Sequence, residues 1–426
     1  MTASFRPMHR QVLLLAAAQA LFQTASTLVM TIGALVGARV SPTPRLATAP
    51  IAAMFLGTVL TTIPASHFML RFGRRSGFVT GALLGALGGV AGAWGIYSGS
   101  LLVLSLGTLL IGAYNAFAQF YRFAASEVAE EAFRPRAIAW VLGGGVVAAI
   151  VGPALARLGG PLLEPAYVGS FLILSAVSLI AASLLSGLRV PSAPPEMGQG
   201  EPRSLLAIMR QPAYAVALFA AATGSGVMVL AMTATPLAML HHHHSLSEAT
   251  IVIQAHVLGM FAPSFFTGAL IARFGVLRIM LMGVVLLGGH VLLCLSGTGF
   301  ASFGSALVLL GVGWNFLYVG GTTLLTATYL PAEKARAQAA NDLTIYLVGL
   351  AASLLAGALL QTLGWRWMNI TLLPWLLMAV VALLWLGPTR ASAASPQTLP
   401  REAAVQSSPS AVTRRPKSQA TGELEP

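Results

Sequence analysis

The chain has 426 residues, 56% of them apolar and 8% charged, with a formal net charge of +12. A soluble domain carries about 25% charged residues, so this composition excludes a cytosolic enzyme and, over most of the length, a disordered chain. A single cysteine, Cys294, excludes intramolecular disulfides and thiolate clusters, and a polytopic membrane protein remains.

A spanning helix needs about 20 mostly apolar residues. Twelve segments meet that need: 11–37, 47–70, 76–98, 101–123, 136–158, 165–188, 212–240, 248–272, 276–297, 301–328, 337–362 and 366–387. The first is read as a retained helix, because no small-residue cleavage site and mature soluble domain follow it. With the N-terminus in the cytoplasm, only Arg39, Arg45, Arg157 and Arg366 fall outside, and the other 20 of the 24 cations fall inside. That split follows the positive-inside rule and is expected of a chain with both termini in the cytoplasm. The positive charge is thus a topology signal, and no nucleic-acid partner is expected.

The loop after the second segment reads Arg71-Phe72-Gly73-Arg74-Arg75. The fourth segment carries Asn115, Gln119 and, near its end, Arg122 and is followed by Glu127; Gln19 and Gln23 lie in the first. Such groups line a cavity or bond one helix to another. The fifth segment reads Gly143-Gly144-Gly145-Val146-Val147-Ala148-Ala149-Ile150-Val151-Gly152-Pro153, a pattern that lets helix backbones approach closely. Residues 189–211 form a polar break with Pro191, Pro194, Pro195, Gly198, Gly200 and Pro202. It divides the chain into a six-helix bundle over 1–188, a cytoplasmic linker and a second bundle over 212–388.

The seventh and eighth segments carry Met228-x-x-x-Met232 and His256-x-x-x-Met260, each motif occurring once in the chain. Residues four apart share a helix face, and the short 241–247 loop places the two motifs at similar depth. Thioether and imidazole suit Cu(I), whereas Ca²⁺ and Mg²⁺ want oxygen. Methionine is also an ordinary core filler. His241–His244, in the loop between these segments, is either a metal-capturing tract or a solvated turn.

Glu248 opens the eighth segment, Asn315 lies in the tenth, and Asp342 near the start of the eleventh. Tyr114, Tyr121, Trp140, Trp314 and Tyr318 are candidates to stack on a flat ligand or to pack as ordinary core. Residues 389–426 read as a disordered cytoplasmic tail. No acid pair, nucleophile–base arrangement or phosphate loop is present, so neither enzymatic chemistry nor a bound cofactor is expected. The halves echo each other. Arg71-Phe72-Gly73 recurs as Arg273-Phe274-Gly275, Asn115 as Asn315, and Arg136-Ala137 as Arg336-Ala337, as expected of an internal duplication.

On these features, over about residues 10–388, the chain resembles the major facilitator superfamily. The 71–75 loop is similar to that family's Gly-x-x-x-Asp-Arg-x-Gly-Arg-Arg motif but departs from it, with His67 or Phe68 near where its acid is expected, so the motif does not supply this loop's ion-pair partner. The glycine run of the fifth segment resembles an element of many members, exporters especially. The resemblance implies an all-α membrane protein of twelve helices in two six-helix bundles. The Met228/Met232 and His256/Met260 motifs resemble those of the bacterial copper-importing facilitators, the CcoA-like transporters. That resemblance implies a copper importer supplying cytochrome c oxidase assembly, with Met228 and His256 as principal ligands, Met232 and Met260 auxiliary, and copper as substrate. The partners it implies are copper, the lipid bilayer and a copper chaperone, for a monomeric carrier. Riboflavin transporters are relatives in the same wider family, so a riboflavin or other organic-solute carrier is the competing expectation, and a multidrug exporter a further one.

Overall fold

In lipid every backbone amide must find its partner within the protein, which leaves helices or a closed barrel. The computed structural model, which describes residues 2–130, 133–190 and 203–393, is helical and shows no strand among them. In chain order it holds α1 (Thr2–Val40), α2 (Ala49–Tyr97), α3 (Leu101–Ala118), α4 (Tyr121–Val128), α5 (Arg134–Gly159), α6 (Val168–Ser186), α7 (Leu205–Met209) and α8 (Pro212–His241). It continues with α9 (Leu246–Phe261), α10 (Ser264–Phe274), α11 (Val276–Ser296), α12 (Phe300–Thr326), α13 (Lys334–Ile370) and α14 (Leu372–Ala393). The prolines and glycines of the expected linker and residues 394–426 of the expected tail lie outside the described residues.

Nine helical stretches among the described residues are long and apolar enough to cross a membrane, or ten if the bent pair α9–α10 counts as one. Two of them, Pro44–Tyr97 with 54 residues and Arg336–Gly387 with 52, are too long for one crossing. Straight, each would run about 80 Å against about 30 Å of hydrocarbon. Each is broken at a glycine of positive φ, Gly73 at +83° and Gly364 at +75°. A methyl group on Gly77 would collide with the Met69 side chain, so the chain has doubled back between those residues. The twelve sequence segments map onto these helices when both glycine breaks are reversals.

The first-half helices pack mainly on one another, α2 on α3 and α6, and α1 on α5; in the second half α12 packs on α9 and α11, and α8 on α13. The halves meet along α2–α13, α5–α9 and α1–α8, within one compact unit that runs to Leu386. The glycine run of α5 sits where close packing needs it. A side chain at Gly144 would meet the backbone of Ala16 and Ala20 on α1, and one at Gly152 would meet Thr27.

The duplicated tripeptides adopt the same geometry. Gly73 and Gly275 have φ, ψ of +83°, 160° and +86°, 150°, and in both Arg-Phe-Gly copies the arginine lies over the adjacent phenylalanine ring, at 5.4 Å and 5.2 Å. The two asparagines also correspond. Asn115 donates to Thr58 Oγ1 at 3.3 Å, and Asn315 accepts from Thr267 Oγ1 at 2.7 Å. Ala137 and Ala337 are both fully buried at the starts of their helices.

The open question of the 71–75 loop is answered by another helix. The 71–75 loop does hold an ion pair, because Glu127 of α4 supplies the acid that the loop lacks. The Glu127 carboxylate accepts from Arg74 Nη2 at 2.6 Å and from Nε at 3.2 Å. A second clasp joins Arg203 to Glu333, whose carboxylate accepts from Arg203 N and Nε at 2.8 Å each, from Nη2 at 2.7 Å and from Leu330 N at 2.9 Å. Those donors hold the Glu333 carboxyl well below its ordinary 4.5, at about 2.

Candidate substrate cavity

Between the halves lies a cavity of about 420 Å³, lined by α1, α2, α3, α4 and α5 on one side and by α8, α9, α12 and α13 on the other. Its volume falls within the range of about 300–1,000 Å³ typical of small-molecule sites. Helical spacing builds each wall. Gln19, Gln23, Thr27 and Met30 follow one another on α1, while Trp314, Tyr318 and Thr322 recur at every fourth position on α12.

The aromatic wall is ordered. Trp314 and Tyr318 are stacked, with ring centroids 4.8 Å apart and planes 13° apart. Phe261 packs edge-on against Trp314 at 6.3 Å, and Trp314 Nε1 donates to Ser225 Oγ at 3.4 Å. The first-half helices add amides to the lining. Gln119 Nε2 donates to Asn115 Oδ1 at 2.9 Å, and Gln19 and Gln23 share the lining. One charge pair enters from opposite halves: Arg122 Nη2 of α4 lies 3.7 Å from Asp342 Oδ2 of α13. Sequence reasoning named Asp342 but missed this partner, and it missed Met30, Met54, Phe55 and Tyr346 altogether. The regular spacing of Gln19, Gln23, Thr27 and Met30 was the signal that Met30 shares the wall.

The four Met/His candidates divide. Met228, Met232 and Met260 line the cavity beside Met30 and Met54. His256 does not; it is fully buried against α12, its Nδ1 2.8 Å from the Leu307 carbonyl oxygen and its Nε2 without a hydrogen-bond partner. Among the described residues no three His, Cys, Asp or Glu side chains are grouped to hold a metal ion. The His241–His244 tract ends α8 and forms the turn, with His244 Nε2 2.8 Å from the Thr298 carbonyl oxygen. Glu248 closes a capping box with Ser245 at the start of α9.

The remaining candidates pack. Asn315 donates from Nδ2 to the Met260 carbonyl at 2.7 Å and to Ser264 Oγ at 2.6 Å, pinning the 43° bend between α9 and α10. Tyr114 and Tyr121 are fully buried against Phe22 and Phe78. Trp140 is exposed and packs edge-on against Phe133.

The chain matches the model of the Major Facilitator Superfamily over residues 15–253 and 215–421. It is 41% identical over 379 residues to the riboflavin transporter RfnT of Brucella anthropi, covering 88% of this chain and 94% of that protein. The uncharacterized MFS-type transporter YddS of Bacillus subtilis is 30% identical over 348 residues, covering 77% of this chain and 79% of that one. Among solved structures, a bacterial homologue of the human lysosomal transporter Spinster, inward-facing and occupied, superimposes with a TM-score of 0.68 at 16% identity, covering 88% of this chain and 95% of that one. The nucleoside transporter NupG, solved as a point mutant, does so with a TM-score of 0.66 at 12% identity, covering 87% and 99%. At those identities the two structures speak for the fold alone.

Proposed function

This chain is a secondary transporter that belongs to the Major Facilitator Superfamily, and we propose that it carries riboflavin, or a closely related flat and uncharged organic solute, across the bacterial plasma membrane. The observation that carries this reading is one cavity lined both by stacked Trp314 and Tyr318 and by the amides of Gln19, Gln23, Asn115 and Gln119. Stacked rings offer a face to a planar ring system, and amides can donate to ring carbonyls and accept from ring N–H groups and hydroxyls. The likeness to a riboflavin transporter supports the same substrate class. Size argues the same way: a metal ion held at about 2.0–2.3 Å from its ligands would fill a small part of about 420 Å³.

The cation distribution supports both termini in the cytoplasm. The test is uptake of labelled riboflavin by a bacterial riboflavin auxotroph that lacks its own importer. Uptake with this chain, lost with Trp314→Ala while the protein stays in the membrane, supports the proposal; no uptake refutes it.

One observation favours copper as a second reading. Five methionine thioethers, from Met30, Met54, Met228, Met232 and Met260, share the cavity. Import of Cu(I) for oxidase assembly would use Met228, Met232 and Met260, with His256 turning from its Leu307 contact to join them. Copper uptake abolished by Met228→Leu and by His256→Ala would favour that reading; uptake untouched by both would end it.

A further inference from the structure

Among the described residues, Arg122 is the only arginine or lysine in the cavity lining and Asp342 the only carboxyl. Their separation of 3.7 Å is an ion-pair distance but exceeds the 2.7–3.2 Å of a hydrogen bond. Asp342 therefore balances the Arg122 charge without using its donors. Asp342 Oδ1 already accepts from Asn341 Nδ2 at 3.1 Å, whereas Arg122 Nε is out of contact with solvent and has no hydrogen-bond partner. Arg122 lines the cavity with its side chain 24% exposed, so its terminal guanidinium nitrogens, rather than Nε, are the donors a ligand there can meet.

Resting on the riboflavin-type reading above, we propose that this pair is the carrier's charge filter. Arg122 donates to the carbonyl-bearing edge of an uncharged ring, and Asp342 keeps the site neutral so that a phosphorylated form of the same ring is refused. Bringing a phosphate into the cavity strips its water, and a guanidinium already balanced by a carboxylate returns too little attraction to offset that loss. Without the carboxylate, the same guanidinium becomes an anion site.

The test uses the purified full chain in detergent, with riboflavin binding read by quenching of flavin fluorescence and flavin mononucleotide as displacing ligand. Wild type should prefer riboflavin by at least about tenfold, the ratio that about 1.4 kcal/mol gives. Asp342→Asn should move the ratio toward the mononucleotide by about tenfold or more, and the Arg122→Gln/Asp342→Asn double variant should move it back. If Asp342→Asn does not purify as folded protein, Arg122→Gln reads the filter from the other side, and mononucleotide should lose about a further tenfold against riboflavin. A ratio unmoved within about twofold by every charge variant, with riboflavin still bound, overturns the filter alone. Failure of wild type to bind riboflavin overturns the substrate reading and the filter with it.

Discussion

In the proposed function Trp314 and Tyr318 meet the ligand, and their removal separates the two substrate readings. Stacking of a flat ring on an aromatic side chain contributes about 1–3 kcal/mol, so Trp314→Ala should weaken riboflavin binding about tenfold or more in a titration. Met228→Leu keeps volume and apolarity and should stay within about threefold; the reverse ranking would favour the thioether site. Gly73 and Gly275 face a different demand. Nothing lies within 4 Å of a methyl group at either, so their φ of +83° and +86° is what requires glycine. Alanine there should destabilise by on the order of 1–3 kcal/mol, read as a lower melting temperature for each variant. Part of this was legible in the sequence: Arg-Phe-Gly announced itself by repetition, whereas Trp314 and Tyr318 stood undistinguished among five aromatic candidates. The Arg122–Asp342 pair was not legible, because its members sit in different halves and only the packing of α4 against α13 joins them. Nor was the aim of His256 legible, since residues four apart drift around a helix and its neighbour Leu307 belongs to α12.

Two elements are shaped by polar side chains. The α9–α10 bend occurs at Pro263, where the Met260 carbonyl is served by Asn315 in place of a helical partner. Asn315→Leu would take the Asn315 donor from that carbonyl and from Ser264 Oγ and should cost about 1–3 kcal/mol, measurable by thermal unfolding in detergent. The Arg203–Glu333 clasp links the segment before α7 to the turn before α13. Since its folded carboxyl is depressed from 4.5 to about 2, the stability it contributes is fully present above 4.5 and disappears as pH falls through about 2. Glu333→Gln should therefore melt below wild type at neutral pH, and the gap should close as the pH of the melt is lowered toward 2. The sequence foretold the apolar stretches well because hydropathy decides them. It did not foretell the ion pair of the 71–75 loop, because the acid comes from α4 and not from the loop.

For the whole molecule, sidedness is the property that cation counting predicts and helix packing leaves free. Cys294 is 2% exposed, so the chain brings a nearly silent background for thiol labelling. Ser98→Cys should react with a membrane-impermeant maleimide in intact cells, and Lys334→Cys only after permeabilisation; the opposite pattern would invert the topology. The duplicated halves were legible from Arg-Phe-Gly, the paired asparagines and the Arg-Ala pairs. The cavity between them was not, since its walls come from nine helices spread from Gln19 to Tyr346. The most direct measurement is riboflavin counterflow with the purified chain in liposomes. Vesicles loaded with unlabelled riboflavin should accumulate labelled riboflavin, and vesicles bearing the Trp314→Ala variant should not. Absence of riboflavin exchange from folded wild-type protein, with copper entering the same vesicles and stopped by Met228→Leu, would contradict the proposed function.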